Sequence, residues 1–346
     1  MNGKELAVKH SMTLILLALT LVSCSGCQST TAPIKTEPGK TTAPRAVWID
    51  TDPSVQMGGH EVDDGFALLQ AFHSPELEIR GVSVVFGNAP FDQAWPMGQE
   101  IVRRFGPQGL TAYPGAVNAT QLGEETAAVR AMVAALQKEK LTILALGPVT
   151  NVASLLKLHP ELSSNIVEII AVAGRRPNQR FLAKPEQKIP FRDFNFELDA
   201  PSFQVLLDSS VPLVLAPWEV SSKVWLREAE LKRLAEGTEA TKWLHGPASD
   251  WLKKWQRDLG LDGFNPFDTL AIGYLTSPKL IESEELPAVI KTLPDDVNPK
   301  PLPNGKLPEK PYLLAGKELQ SNRRVRYCFN AAPEFAADLM GRLLKK

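Results

Sequence analysis

The stretch that most constrains this chain is residues 47–69, Val-Trp-Ile-Asp-Thr-Asp-Pro-Ser-Val-Gln-Met-Gly-Gly-His-Glu-Val-Asp-Asp-Gly-Phe-Ala-Leu-Leu. A short apolar run, Ala46 to Ile49, reads as a buried strand and stops at Asp50. Asp52 follows, then a Gly-containing loop, then the pair Asp63-Asp64. Beyond the pair, Phe66, Leu68, Leu69 and Phe72 recur at roughly helical spacing. Four carboxylates therefore crowd the carboxyl end of one strand and the first turn of the next helix. That is where open α/β sheets bind ligands. Like charges so close raise one another's pKa, so the cluster needs compensation. A hard divalent cation with oxygen ligands, Ca²⁺ or Mg²⁺, would supply it; the alternative is a solvated, helix-capping acid cluster.

From Arg45 onward, apolar runs alternate with helical patterns, which predicts an α/β fold with a mostly parallel central sheet flanked by helices. Strands are expected at Leu77 to Phe86, Leu141 to Leu146, Ile166 to Ala173 and Val211 to Leu215, and late in the chain at Arg323 to Phe329. The C-terminal part is expected to be mainly helical, over Arg227 to Ala235, Glu239 to Gln256, Asp268 to Leu275 and Pro333 to Leu344. Pro294 to Pro311 is proline-rich and reads as a surface excursion. The strand ends finish in polar residues, Asp50 and Asp52, Asn88, Thr150 and Asn195, which puts a site along one edge of the sheet.

The N-terminus is expected to lie outside that fold. Lys4 and Lys9 precede an apolar run from Met12 to Val22, long enough for a signal peptide and too short to span a membrane. The run ends Leu21-Val-Ser-Cys24, which resembles the lipobox of bacterial lipoproteins, with Cys24 as the acylated residue. Cys27 fits that pattern less well. The expected organisation is a lipoprotein signal peptide over 1–23, a disordered tether over 24–44 and one folded domain over 45–346. Ser25 after the Cys implies outer-membrane retention, facing the periplasm or cell surface, if the organism has two membranes. With Cys24 lipidated and Cys27 on the tether, no structural disulfide is expected. A net charge of −1 offers no basic field, so nucleic acid is not an expected partner.

Several motifs together resemble the inosine-uridine nucleoside hydrolase family. Asp50-Thr-Asp52-Pro53 and Asp63-Asp64 match its opening Asp-x-Asp-Pro-Gly-x-Asp-Asp, with seven extra residues between the halves. Val85-Phe-Gly-Asn88 and Leu146-Gly-Pro-Val-Thr150-Asn-Val-Ala follow in the family's order. Asp193-Phe-Asn195 with Asp199, and Pro266-Phe267-Asp268, complete the series. The resemblance implies a Rossmann-like sheet and hydrolysis of the N-glycosidic bond of nucleosides assisted by Ca²⁺. It implies Asp52, Asp64, the Thr150 carbonyl and Asp268 as metal ligands, Asp63 as general base, and Asn88, Asp193 and Asn195 as holders of sugar hydroxyls. It also implies a homo-oligomer, since dimers and tetramers are common there.

Three departures from the pattern carry consequences. The insertion Val55 to Val62 sits inside the metal motif, as a longer loop over the sugar or as a distortion of the metal site. Phe267 stands where many relatives have a His that protonates the leaving base. A Phe cannot donate that proton, but it can stack on a base, which leans the chain toward purine nucleosides and their salvage; plain core packing is the other reading. Gly174-Arg175-Arg176 replaces the family's Gly-rich loop. Of the histidines, His60 and His245 are the candidates for a leaving-group acid, with no acid at all as the third option. Trp95, Trp218 and Trp225 are candidates for lining a base pocket, Trp218 foremost. Two other functions are weighed beside the hydrolase: a catalytically silent nucleoside- or ribose-binding lipoprotein on the same scaffold, and an Asp-x-Asp phosphatase using Asp50 with Mg²⁺.

Overall fold

The computed structural model describes residues 43–55 and 59–345. The first elements are β1 (Arg45–Thr51), α1 (Asp63–Phe72), β2 (Leu77–Val84), α2 (Phe91–Phe105), β3 (Ala112–Pro114), α3 (Ala127–Leu136), β4 (Leu141–Ala145), α4 (Thr150–Leu158) and β5 (Ile166–Ala171). Next come α5 (Phe194–Leu198), α6 (Ala200–Asp208), β6 (Leu213–Leu215), α7 (Trp218–Ser221), β7 (Leu226–Arg227), α8 (Glu228–Glu236), α9 (Glu239–Leu259), β8 (Gly263–Phe264) and α10 (Thr269–Thr276). The chain then runs through β9 (Ile281–Pro294), β10 (Glu309–Ala315), β11 (Arg324–Ala331) and α11 (Phe335–Leu343). The expected leader, tether and Cys24 fall outside the described residues, apart from Ala43 and Pro44.

The sheet is largely parallel, in the order β10-β9-β11-β6-β5-β4-β1-β2-β3. β1 pairs in parallel with β2 on one side and β4 on the other. The chain thus winds outward from β1 in one direction and returns to its other flank through β4. The carboxyl ends of β1 and β4 flank a topological switch point, where neighbouring loops part and leave a crevice.

Alternation along β1 explains why Val47 to Ile49 are apolar without a break. Val47 and Ile49 join one core layer with Phe66, Leu68 and Leu69 of α1, while Trp48 joins the opposite layer with Ile143 and Val152. Both faces are covered by helices, so every side chain is buried whichever way it points. Each of the α1 side chains contributes about 2 kcal/mol by leaving water. Asp63 and Asp64 occupy the first turn of α1, where the helix dipole favours negative charge.

Two elements differ from the sequence-based expectation. Ala112–Pro114, where no strand was expected, contributes the edge strand β3. The C-terminal part is helical as expected through α10, but then adds β9 and β10, an antiparallel ladder that continues from β11. β9 runs Ile-Glu-Ser-Glu-Glu-Leu-Pro-Ala-Val-Ile-Lys-Thr-Leu-Pro, and much of its length is partly or fully exposed. A strand whose face is partly exposed has no need of a continuous apolar run, so only a weak signal marks it. Cys328 lies buried in β11 as a free thiol.

Candidate active site

The β1 end delivers two acids with different surroundings. Asp50 Oδ1 accepts hydrogen bonds from Ser83 Oγ at 2.5 Å and Asn151 Nδ2 at 2.9 Å. Burial lifts its carboxyl to about 7 against those two donors. Asp50 thereby ties β1 to β2 and α4. Asp52 Oδ2 accepts from the Asn88 N–H at 2.7 Å, and its Oδ1 is buried with no partner. Two glycines make room for this carboxylate. A Cβ on Gly87, whose φ is +158°, would collide with Asp52 Oδ2, and one on Gly147 would stand 2.6 Å from Oδ1.

The second pair enters from α1. Asp64 accepts from Thr51 Oγ1, from the Asp52 N–H at 3.1 Å and from Asn88 Nδ2 at 3.1 Å. Those bonds partly offset the burial that raises its pKa. Asp63 has no such relief: burial first, and then Glu61, Asp64 and Asp52, hold its carboxyl well above the usual range. Asp268 is raised for the same reasons, burial ahead of Asp63 and Asp64. It sits at the cap of α10 but makes no capping bond, so the helix-cap reading does not account for it.

A cation fits this donor set. One oxygen each from Asp63, Asp64 and Asp268 lies within 4.8 Å of the other two. Oδ1 of Asp52, Oδ1 of Asp63 and Oδ2 of Asp268 are buried without a hydrogen-bond partner. Unpartnered buried carboxylate oxygens are costly alone and are natural ligands for a hard divalent ion. Of the expected ligands, Asp64 and Asp268 are brought together, with Asp63 added, while Asp52 lies beside Asp64, to which its N–H donates, outside that group of three. Thr150 opens α4 with its hydroxyl turned to Asp199 Oδ2 at 2.6 Å, a role separate from its carbonyl.

Above the cluster opens a cavity of about 400 Å³. Asp63, Asn88, Asp193, Asn195 and Asp268 line it. Asn195 Nδ2 donates to the carbonyls of Leu146 at 2.6 Å and Val172 at 3.1 Å, which aims its amide. Asp193 Oδ2 accepts from the Gly174 N–H at 2.9 Å, and burial lifts its carboxyl to about 6. The far wall is aromatic. Trp218 packs on Phe181 with ring centroids 5.8 Å apart, on Phe191 at 5.0 Å and on Phe267 at 5.5 Å.

Trp218 and Phe267 thus take the wall positions expected of them, while Trp95 stacks on Phe91 and Trp225 meets Trp255 edge-on, neither of the two lining the cavity. No histidine is among the lining residues. His60 is exposed, and His245 is half-buried against Ser249 on α9, so neither is placed as a leaving-group acid. The structure adds one carboxylate that the sequence did not flag. Glu61, the penultimate residue of the insertion, lines the cavity with Oε1 buried and unpartnered, and burial together with Asp64 lifts its carboxyl to about 8. The ends of the insertion are anchored at the site: Val55 and Val62 are buried, and Ser54 Oγ donates to the Glu61 carbonyl at 2.9 Å.

An acid cluster at a sheet's switch point, beneath a cavity with an aromatic wall, is the arrangement that the family resemblance implies. The chain matches the model of the inosine-uridine preferring nucleoside hydrolases over residues 47–300, and it belongs to that family. It is 26% identical over 269 residues to the pyrimidine-specific ribonucleoside hydrolase RihA of Klebsiella pneumoniae, a match spanning 69% of this chain and 82% of that protein. A plant nucleoside hydrolase superposes with a TM-score of 0.72 at 17% identity, covering 88% of this chain and all of that one. The purine-preferring ribonucleoside hydrolase of Gardnerella vaginalis gives 0.66 at 20% identity, over 86% of this chain and 98% of that one. These structures share the fold.

Proposed function

We propose that this nucleoside hydrolase cleaves its substrates with Ca²⁺ as cofactor and Asp63 as general base. The observation that carries the reading is Asp63, which lines the cavity beside Asp64 and Asp268 with its Oδ1 buried and unpartnered. Asp52, Asp64 and Asp268 would hold the ion, with the Thr150 carbonyl as a further ligand. When bound, the ion supplies a template for the sugar hydroxyls and makes a water more acidic. Asp63 then takes the proton of the attacking water. Asn195 presents its amide oxygen, and Asp193 its carboxylate, to sugar hydroxyls. Cleavage builds positive charge on the sugar, and the surplus of carboxylates below favours that charge over the neutral ground state.

The departing base lies among Trp218, Phe267 and Phe181. With no histidine on the wall, stacking and solvent are the help available to it. A bicyclic base covers more of that wall, which supports a lean to purine nucleosides, whereas the Klebsiella relative is named as pyrimidine-specific. Ribose release from inosine, adenosine and uridine, with Ca²⁺ and after chelation, tests the whole. Release from none of them would overturn the hydrolytic reading, and equal release after chelation would overturn the metal's part. D52N and D63N test the base: kcat should collapse in D63N. Collapse in D52N, with only KM raised in D63N, moves the role to Asp52.

The chain is further proposed to be held on the membrane through a lipid at Cys24, facing the periplasm. Metabolic labelling with palmitate, lost in C24S, checks this; unchanged labelling in C24S would refute it.

A further inference from the structure

The segment between β5 and α5 carries two adjacent arginines that run to different partners. Gly174, with φ at +95°, turns the backbone just before them, a conformation that favours glycine. The Arg175 backbone then pairs with β10: its N–H donates to Leu313 at 3.0 Å, and its carbonyl accepts from Ala315 at 2.9 Å. Its guanidinium is 2% exposed and lies between two rings, 4.1 Å from the centre of Phe181 and 5.0 Å from that of Tyr312. Asp296, from the proline-rich excursion, binds it at 2.8 Å. Arg176 instead reaches Glu219, next to Trp218, through Nε at 2.9 and 3.2 Å. It also binds Glu284 of β9 at 2.9 Å and covers Tyr327 at 4.9 Å.

Each arginine therefore fixes one aromatic wall of the cavity to the antiparallel rim of the sheet. Arg175 holds Phe181, and Arg176 holds the helix that carries Trp218. The two rings meet at 5.8 Å with their planes 23° apart. We infer that the Arg175-Arg176 pair is a positioning element that keeps Phe181 and Trp218 stacked and so sets how the cavity grips the base. This rests on the nucleoside reading of the cavity. Neither arginine is among the acid cluster, but the Arg175 charge acts on Asp193, so a loss confined to the base is expected of Arg176 and its partner Glu219. A guanidinium suits both posts because it stacks and forks at once, which an ammonium does not.

The test is calorimetric affinity for inosine, uridine and a base-free iminoribitol, measured on R176Q, E219Q, R175K and the wild type. Arg176 and Glu219 are partly exposed, so R176Q and E219Q are expected to fold. Each should weaken both nucleosides by roughly three- to tenfold, the worth of one disturbed aromatic stack. Iminoribitol should stay within about twofold. The double variant should be no worse than either single one, because both remove the same link. R175K should change the ratio of inosine to uridine affinity through Phe181. Equal loss for nucleosides and iminoribitol, or unchanged nucleoside affinity in R176Q and E219Q, would overturn the inference. If the wild type binds nucleosides but releases no ribose, hydrolysis falls while the affinities still judge the latch. If it binds no nucleoside, both fall.

Discussion

Asn88 donates to Asp64 Oδ2 through its side-chain Nδ2 at 3.1 Å, while its backbone N–H donates to Asp52 Oδ2 at 2.7 Å. One residue at the end of β2 thus aims a carboxylate from β1 and another from α1. The sugar-binding role expected of Asn88 is narrowed by this, because one of its two side-chain N–H groups is already in use. Substituting Asn88 by Ala should therefore lower Ca²⁺ affinity by roughly tenfold or more, the range for partners that orient metal ligands. Calcium titration calorimetry without substrate reads this directly. Unchanged affinity with a raised KM would return Asn88 to the sugar.

The metal-free site should make stability fall as pH rises. Burial lifts Asp50 to about 7 and Glu61 to about 8, from ordinary values of 3.8 and 4.5. Both folded pKa values are raised, so their protonated forms are favoured by folding. That stability is present below about pH 4 and is lost as pH rises to 7 or 8. The chelated protein should accordingly melt lower at pH 8 than at pH 5, and saturating Ca²⁺ should shrink or reverse the difference. E61Q should flatten the chelated profile by removing one of the repelling charges. Scanning calorimetry at the two pH values checks it; identical profiles for E61Q and wild type would show that Glu61 is not under strain.

Asp193 offers a separate pH signature. Burial raises its carboxyl to about 6, opposed by the Arg175 charge and the Gly174 N–H. To accept a sugar hydroxyl it must be ionised, so KM should climb as pH drops below 6, by up to roughly tenfold per pH unit. D193N should bind weakly at every pH and lose that limb. A KM limb near 6 that persists in D193N would assign the titration to another group.

How much of this was legible in the sequence follows from the kind of signal each part leaves. β1 and β4 are buried over most of their length and read as apolar runs, and Asp50 and Asp52 stand out where the apolar run of β1 stops. Asp52, Asp64 and Asp268 could be grouped from motifs before any contact was known. Glu61 could not, since a single acid in a Gly- and His-containing insertion carries no periodicity and depends on Val55 and Val62 to aim it. β9 and β10 were missed because their apolar stretches, Leu286 to Ile290 and Tyr312 to Ala315, are short and bounded or interrupted by Glu, Lys and Pro. Their role is visible only through long-range pairs such as Arg176 with Glu284 and Arg175 with Asp296.

The aromatic wall yields the prediction that bears most directly on substrate choice. Trp218 touches Phe181, Phe191 and Phe267, so W218A removes the centre of the wall and should reduce kcat/KM for every nucleoside by roughly tenfold or more. Phe267 sits next to Asp268 and lines the cavity, at the place where the family motif carries a proton donor. A purine delocalises the charge of departure better than uracil does, so a wall that only stacks should favour inosine over uridine. Phe267→His puts an imidazole within reach of the departing base and should raise kcat for uridine more than for inosine. The gain should fade above the imidazole pKa, because only the protonated ring can donate. Steady-state kcat for both substrates between pH 5 and 9 measures this. A folded F267H enzyme whose uridine-to-inosine ratio is unchanged at every pH would mean that ring 267 does not face the leaving group.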